Sequence, residues 1–149
     1  MKVSVVMPVY NAEATVLHAL ESLKAQTYPS LEIIVINDGS TDGTMDLLHH
    51  QPDITLLDHS HRGISAALNE GLSAATGDFI ARMDADDLCH PERIKQQVMY
   101  LKECPDIGLV GSRVRFGGDR EQQTGYATYV DWINGLITPE DIALNRFIE

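Results

Sequence analysis

The chain begins with the apolar run Val3-Ser4-Val5-Val6-Met7-Pro8-Val9, and this run decides the fold class. A short, almost continuous run rich in valine is typical of a strand that is covered on both faces in a parallel sheet. Pro8 lies near its end, where a missing N–H costs least. Three later apolar runs, at residues 31–36, 54–57 and 79–83, have the same character. The sequence therefore predicts a mostly parallel sheet.

Amphipathic helices are predicted between these strands. Apolar residues recur at helical spacing from residue 16 to about 26, over 64–75 and after Pro91, and a short helix is expected near 45–50. Gly77 follows the helix of 64–75 and suits a left-handed cap. The order β-α-β-α-β-α-β-α predicts a three-layer α/β/α sandwich around a doubly wound sheet.

The second part of the chain has weaker patterns. Further strands are predicted at Ile107 to Val110 and at Val114 to Phe116, on either side of Gly111. Residues 117–125 are polar and are predicted to form a loop, and a last helix is expected between Pro139 and Ile148.

Composition and charge restrict the classes of function. The chain of 149 residues has 44% hydrophobic and 22% charged residues, as expected of one ordinary globular domain. It carries 22 acidic residues against 11 Lys and Arg, and the resulting net charge of −11 argues against a nucleic-acid partner. A small anionic ligand would need a divalent cation between its phosphates and the carboxylates of so acidic a protein.

The compartment is predicted from what the sequence lacks. The N-terminus runs straight into a strand-like segment without the pattern of a signal peptide, and no stretch approaches the ~18 apolar residues of a membrane span. We therefore expect a cytoplasmic protein. Cys89 and Cys104 fit no metal-binding spacing and are predicted to be free thiols without a role.

Three aspartates, Asp84, Asp86 and Asp87, follow the last of the four runs. Carboxylates this close repel one another unless a cation lies among them. Mg²⁺ or Mn²⁺ prefers oxygen ligands and keeps positions open for phosphate oxygens, so one or two of these aspartates plus a diphosphate would complete its octahedron. The alternative is a solvated acidic loop that caps the next helix. From these residues alone both interpretations stay open.

Polar residues also follow the other strands. Parallel strands place their carboxyl ends at one edge of the sheet, where the ligands of such folds bind. Asp38 could accept a hydrogen bond from a nucleobase N–H there, or form an Asx-type turn before the next helix. Gly63 and the helix behind it offer backbone N–H groups to an anion, with Arg62 as a nearby cation.

Several ordered motifs over residues 3 to about 111 together resemble glycosyltransferase family 2, whose members have the nucleotide-sugar-binding GT-A fold. The motifs are Val5-Val6-Met7-Pro8-Val9-Tyr10-Asn11 with Glu13, Val35-Ile36-Asn37-Asp38-Gly39-Ser40-Thr41-Asp42, Gly63-Ile64-Ser65-Ala66-Ala67-Leu68-Asn69-Glu70-Gly71, Gly77-Asp78-Phe79-Ile80-Ala81-Arg82-Met83-Asp84-Ala85-Asp86-Asp87 and Pro91-Glu92-Arg93. In one departure, Leu68 precedes Asn69 where many members have Arg. Arg62 or Arg82 would then supply the missing contact.

The resemblance implies a role for each matching residue. Pro8, Tyr10 and Glu13 would line the base and ribose pocket, and Asp38 would contact the base. Asp84 and Asp86 would hold Mg²⁺ or Mn²⁺ together with the ribose and diphosphate, while Asp87 would lie near the sugar or support the loop. The complete nucleotide-sugar site implied by the resemblance comprises Pro8, Tyr10, Glu13, Asp38, Arg62, Asn69, Asp84, Ala85 and Asp86.

The implied activity is an inverting, metal-dependent transfer of a sugar from a nucleotide-diphosphate donor, first of all a UDP-sugar, to an acceptor hydroxyl. Family members usually carry the catalytic base well downstream of the D-x-D motif, so the base is expected beyond Glu149. Residues 1–116 are then the nucleotide-sugar-binding core, and residues 117–149 begin a truncated acceptor-side region. The alternative is a non-catalytic nucleotide-sugar-binding module, or a fragment that lacks the base.

The resemblance also suggests partners. The acceptor would be a saccharide or a lipid-linked saccharide in polysaccharide biosynthesis, with peripheral contact at the inner membrane face, and a homodimer stays open.

Two other enzyme classes fit less well. A nucleotidyltransferase would need a glycine-rich basic loop early in the chain, and a phosphatase with an aspartyl nucleophile would need D-x-D-x-[TV] after the first strand; the sequence has neither.

Overall fold

The computed structural model describes residues 1–145. Four strands, β1 (Val3–Val9), β2 (Leu31–Asp38), β3 (Thr55–His59) and β4 (Phe79–Arg82), form a parallel sheet in the order β3-β2-β1-β4. The helices of the first compact unit are α1 (Val16–Lys24), α2 (Thr44–His49), α3 (Ile64–Ala74) and α4 (Arg93–Glu103). The alternating order that the sequence predicts is confirmed over this unit.

Both faces of the sheet are covered because side chains alternate along each strand. On one face Met7 and Val35 pack with Leu20 of α1, and Val3 packs with Ile94 of α4. On the other face Val6, Ile34 and Ile36 pack against Ala67 of α3. The valine-rich run of β1 therefore supplies both cores, which explains why it lacks polar alternation.

Two glycines allow other parts of the chain to approach the sheet closely. A Cβ on Gly71 of α3 would lie 2.4 Å from Val6 Cγ1 and 2.6 Å from Ile36 Cδ1, so a larger residue there would force these side chains to shift. The predicted left-handed cap at Gly77 is wrong, since the positive-φ glycines are Gly39 and Gly63. Gly77 instead lies against β1, where a Cβ would be 2.7 Å from the Ser4 backbone nitrogen.

The strand order places a topological switch point beside β1. The chain runs outward from β1 through β2 to β3, then returns through α3 to β4 on the other side of β1. The crossover helix α3 packs on the opposite face of the sheet from α1 and α4, so the direction of winding reverses beside β1, and such a reversal opens a crevice at the carboxyl ends of the strands. Ligands of open α/β sheets bind in this position.

A second compact unit begins at Leu109 and contains α5 (Thr124–Ile133) and α6 (Pro139–Asn145). The last part of the predicted helix of 139–148 lies outside the described residues. The helix α5 was not predicted from the sequence. The spacing of Tyr126, Tyr129, Val130 and Ile133 fits a helix, but the polar residues 117–125 before them indicated a loop, whose last two residues belong to α5. Among residues 1–145, no helix is long and apolar enough to cross a bilayer.

The two strands predicted at residues 107–110 and 114–116 are wrong, because the structure has no strand there. A strand needs a partner for its backbone groups. At Val114 the side chain of Asn134 takes that place: its Oδ1 accepts from the Val114 N–H at 2.9 Å, and its Nδ2 donates to the Val114 carbonyl at 2.7 Å. A side-chain amide thus replaces the ladder of a neighbouring strand.

Candidate functional site

A cavity of about 650 Å³ lies at the carboxyl ends of β1, β2 and β4. Six of the nine residues predicted to form the site line it. The complete lining is Pro8, Val9, Tyr10, Asn11, Ala12, Ala14, Thr15, Asp38, His61, Ile64, Asp84, Ala85 and Asp86. The loops after separate strands therefore meet at one place, as expected for the switch point of such a sheet.

Asp38 organises the loop that follows β3. Its side chain is buried, and its carboxylate accepts hydrogen bonds from the backbone N–H of Arg62 at 2.7 Å and of Gly63 at 2.9 Å. Burial opposes ionisation, but these N–H groups and the nearby His61 together hold the pKa of Asp38 below its ordinary value. The N–H of Gly63, which the sequence offered to an external anion, is therefore satisfied by an internal carboxylate.

His61 lies between Asp38 and Tyr10 at the wall of the cavity. Its Nδ1 is 2.9 Å from Asp38 Oδ2 and 3.1 Å from the Asp38 backbone oxygen. The imidazole also stacks on the Tyr10 ring with centroids 4.3 Å apart and planes inclined by 31°. Gly39 makes this arrangement possible, because a Cβ there would lie 2.6 Å from the His61 backbone nitrogen.

The loop after β1 is tied to the loop after β2. Asn11 has a left-handed backbone with φ of 48°, and its Oδ1 accepts from the Thr41 N–H at 2.8 Å. The Thr44 hydroxyl accepts from the Ala12 N–H at 2.8 Å, and Glu13 Oε2 accepts from the Gly43 N–H at 2.6 Å. These bonds fix the entry to α1 and therefore fix Tyr10 at the cavity.

The aspartates after β4 have different surroundings. Asp84 is held by the guanidinium of Arg82, with contacts of 3.0 to 3.1 Å to both carboxylate oxygens. Asp86 is exposed, and within residues 1–145 its carboxylate forms no hydrogen bond or ion pair. Partial burial raises the pKa of Asp87, and the negative charges of Asp86 and Asp84 raise it further. Negative charge thus accumulates at this end of the cavity.

These residues fit a metal that takes few protein ligands. Among residues 1–145, no group of three or more His, Cys, Asp or Glu side chains forms a cage for a metal ion. Mg²⁺ and Mn²⁺ need only one or two carboxylates when substrate phosphates complete the coordination. Asp86 offers a free carboxylate inside the cavity, and Asp84 offers a second one beside it if Arg82 yields its place.

Three predicted site residues lie outside the lining of the cavity. Glu13 holds the Gly43 N–H, as described above. The Arg62 guanidinium pairs with Glu70, and Asn69 is exposed on α3. Direct contacts of Glu13, Arg62 and Asn69 with a ligand stay predictions.

The lining also includes residues that the sequence reasoning did not assign. They are Val9, Asn11, Ala12, Ala14, Thr15, His61 and Ile64. His61 is the most informative of them, since it stands in a polar run directly after a predicted strand. That position was its only signal in the sequence, because nothing in the spacing links His61 to Asp38.

Comparison with known proteins supplies the family. The sequence model of glycosyl transferase family 2 matches residues 4–145. An uncharacterized glycosyltransferase of Haemophilus influenzae is 41% identical in an alignment of 146 residues that covers 91% of this chain and 44% of the relative. The chain spans less than half the length of the first curated relatives that it matches.

Solved structures agree with this comparison. Residues 1–349 of Staphylococcus aureus TarS, in complex with UDP-GlcNAc, align with a TM-score of 0.63 at 26% identity, over 78% of this chain and 39% of theirs. The mannosyltransferase PcManGT of Pyrobaculum calidifontis, in complex with GDP-Man and Mn²⁺, aligns with a TM-score of 0.61 at 32% identity, over 67% of this chain and 32% of its own. The sandwich described above is therefore the GT-A fold.

Proposed function

Because the chain belongs to glycosyl transferase family 2, we propose that its cavity binds the nucleotide part of a nucleotide-sugar donor together with Mg²⁺ or Mn²⁺. One observation carries the proposal: two carboxylates from the loop after β4 line the same cavity as Pro8 and Tyr10 from the end of β1. The base and ribose would lie against Pro8 and Tyr10. The diphosphate would lie at Asp84 and Asp86.

We propose UDP as the nucleotide of the donor, with GDP and dTDP as alternatives. The complexes of the two similar structures support this order, since one contains UDP-GlcNAc and the other GDP-Man. The PcManGT complex, which also contains Mn²⁺, supports a divalent cation. When bound, such a cation would offset the charge of the departing nucleoside diphosphate.

For the whole protein we propose an inverting transfer, in which an acceptor hydroxyl loses its proton to a carboxylate and attacks the anomeric carbon. The residues of this chain would bind and orient the donor, and the catalytic base is left unassigned. The acceptor would be a saccharide or a lipid-linked saccharide, reached at the inner face of a membrane. The alternative is a nucleotide-sugar-binding module without transfer activity.

Calorimetric titration of the chain with UDP, with and without Mn²⁺, tests the donor site. We expect binding that depends on the metal and that Asp86→Ala weakens by about tenfold or more, because even groups that only support metal ligands contribute factors of this size. Asp46→Ala, which removes an exposed carboxylate on α2 away from the cavity, is the matched control. Uridine, which has no phosphate, should bind equally with and without Mn²⁺.

Two results would count against parts of the proposal. Equal UDP affinity in chelator and in Mn²⁺ would remove the metal role. For the transfer itself, the full-length protein should move labelled sugar from a UDP-sugar to a saccharide acceptor. Tight donor binding without turnover by that protein would favour the binding module.

A further inference from the structure

We propose that Gln26, which lies outside the lining of the cavity, is a positioning residue for the carboxylates of Asp84 and Asp86. These aspartates belong to the aspartate loop (residues 83–92), which joins β4 to α4. The role rests on the proposed donor site, because the loop is placed there for a metal and a diphosphate. Gln26 acts on the ligand through the loop and does not touch it.

The first end of the aspartate loop is fixed by the sheet. The Met83 N–H donates to the Val6 carbonyl at 3.1 Å, and Ala85 is buried in the core. Within residues 1–145 the carboxylate of Asp86 forms no hydrogen bond or ion pair of its own. The direction in which Asp84 and Asp86 point therefore also depends on how the second end of the loop is held.

The side-chain amide of Gln26 holds this second end. Its Nε2 donates to the His90 carbonyl at 2.7 Å and to the Cys89 carbonyl at 3.4 Å. Its Oε1 accepts from the Ile94 N–H at 3.1 Å. These partners fix the orientation of the amide, because carbonyl oxygens need a donor and an N–H needs an acceptor. One side chain thus joins the end of the loop to the first turn of α4.

Other residues in and just beyond α1 support the same connection. The Ser22 hydroxyl accepts from the Cys89 N–H at 3.0 Å, and the Thr27 N–H donates to the Pro91 carbonyl at 2.8 Å. At its other end α1 starts directly after Thr15, which lines the cavity. The helix α1 therefore links the wall of the cavity to the loop that carries its carboxylates.

Glutamine suits this place because its amide carries a donor and an acceptor on one group. Within the part of the chain that the structure describes, Glu92 at the N-cap of α4 makes no side-chain cap hydrogen bond, so Gln26 satisfies an N–H that the helix leaves unpaired. Glutamate would keep the acceptor but would turn a second oxygen toward the carbonyls of Cys89 and His90. Gln26→Glu should therefore loosen the loop although the side chain keeps its size.

Gln26→Glu and Gln26→Met test the role. In the unligated chain, hydrogen–deuterium exchange should become faster over residues 83–92 and stay unchanged over β2, because the end of the loop is released. Affinity for UDP in Mn²⁺ should fall about tenfold, the lower end of what groups outside the metal ligands contribute. Affinity for uridine, which has no phosphate and needs no metal, should stay unchanged.

Two controls separate positioning from a general loss of stability. Gln96→Met, at an exposed glutamine of α4, should change neither exchange nor affinity. Gly71→Ala crowds the opposite face of the sheet, so it should lower stability but keep the wild-type affinity for UDP in Mn²⁺. A merely structural role of Gln26 would instead lower the affinities for UDP and uridine together.

Three results would overturn the positioning role. If exchange over residues 83–92 does not change in the Gln26 variants, Gln26 does not hold the loop. If exchange becomes faster but UDP affinity in Mn²⁺ stays at the wild-type value, the loop is held without effect on the ligand, and the donor site stands. If the wild-type chain does not bind UDP in Mn²⁺, the proposed function fails, and the positioning role fails with it.

Discussion

Asp38→Asn is expected to destabilise the first compact unit by about 2 kcal/mol at pH 7. Asparagine has nearly the same shape but only one acceptor oxygen, so its NH₂ group would face the N–H of Arg62 or of Gly63. A hydrogen bond to a charged group contributes about 1.5–3 kcal/mol, and we use the lower part of this range because Asp38 lies just beneath the surface. The loss of the negative charge beside His61 adds to the cost.

Thermal unfolding followed by circular dichroism measures the effect. For a unit of 108 residues, 1 kcal/mol shifts Tm by about 4 °C, so the variant should melt about 8 °C below the wild type. Asp53→Asn is the matched control, because its side chain is 72% exposed and its ion pair with Lys24 contributes little.

The pH dependence of the difference has a defined sign. The pKa of Asp38 is lower in the folded chain than its ordinary value of 3.8, so the carboxylate stabilises the fold above that pH, and this contribution is lost as the pH falls further. The gap between wild type and variant should therefore narrow below pH 3.8. A variant that melts within about 1 °C of the wild type at pH 7 would refute the role assigned to these hydrogen bonds.

Two further changes test the packing of the sheet. Gly71→Ala should lower the free energy of unfolding by about 1–2 kcal/mol in chemical denaturation, because overpacking against Val6 and Ile36 exceeds the gain in helix propensity. Gly125→Ala is the control, because a Cβ there meets open space, and it should not lower stability. Equal effects of the two substitutions would contradict the close approach of Gly71 to the sheet. Glu32 of β2 accepts hydrogen bonds from Lys2 Nζ, from the Ser4 hydroxyl and from the Thr76 N–H, and although burial opposes ionisation, these donors lower the pKa of its carboxyl from 4.5 to about 2. Glu32→Gln should therefore destabilise the fold at pH 7, and the difference in stability should disappear as the pH falls from 4.5 to about 2; a difference that stays constant with pH would show that ionisation of Glu32 does not stabilise the fold.

The fold was predictable because its determinants are local in sequence. The strand β1 is predicted from its valine-rich apolar run, and α3 from the spacing of Ile64, Ala67 and Leu68. The strands predicted after residue 106 failed for a non-local reason. Whether Val114 belongs to a strand depends on a partner, and a side chain 20 residues away takes that place.

In the candidate site, too, some features could be predicted from the local sequence and others depend on residues that are distant in the chain. Asp84 and Asp86 were predicted from their position after a strand, and they line the cavity together with Tyr10, while their contact with a ligand stays a prediction. The pairing of Asp38 with His61 could not be predicted, because it depends on how closely two loops approach. Gly39 permits that approach, yet the sequence alone suggested only that its backbone would lie near a ligand.

The charges around the cavity explain why we expect metal and donor to bind together. Asp38, Asp84 and Asp86 contribute three carboxylates to its lining, and within the described residues no Lys or Arg lines it. The guanidinium of Arg82 is occupied by Asp84. A diphosphate that entered this cavity alone would face net negative charge, and the whole chain, at −11, offers no compensating field. A divalent cation at Asp86 removes the repulsion on both sides at once, so the acidic composition favours a metal-dependent donor site.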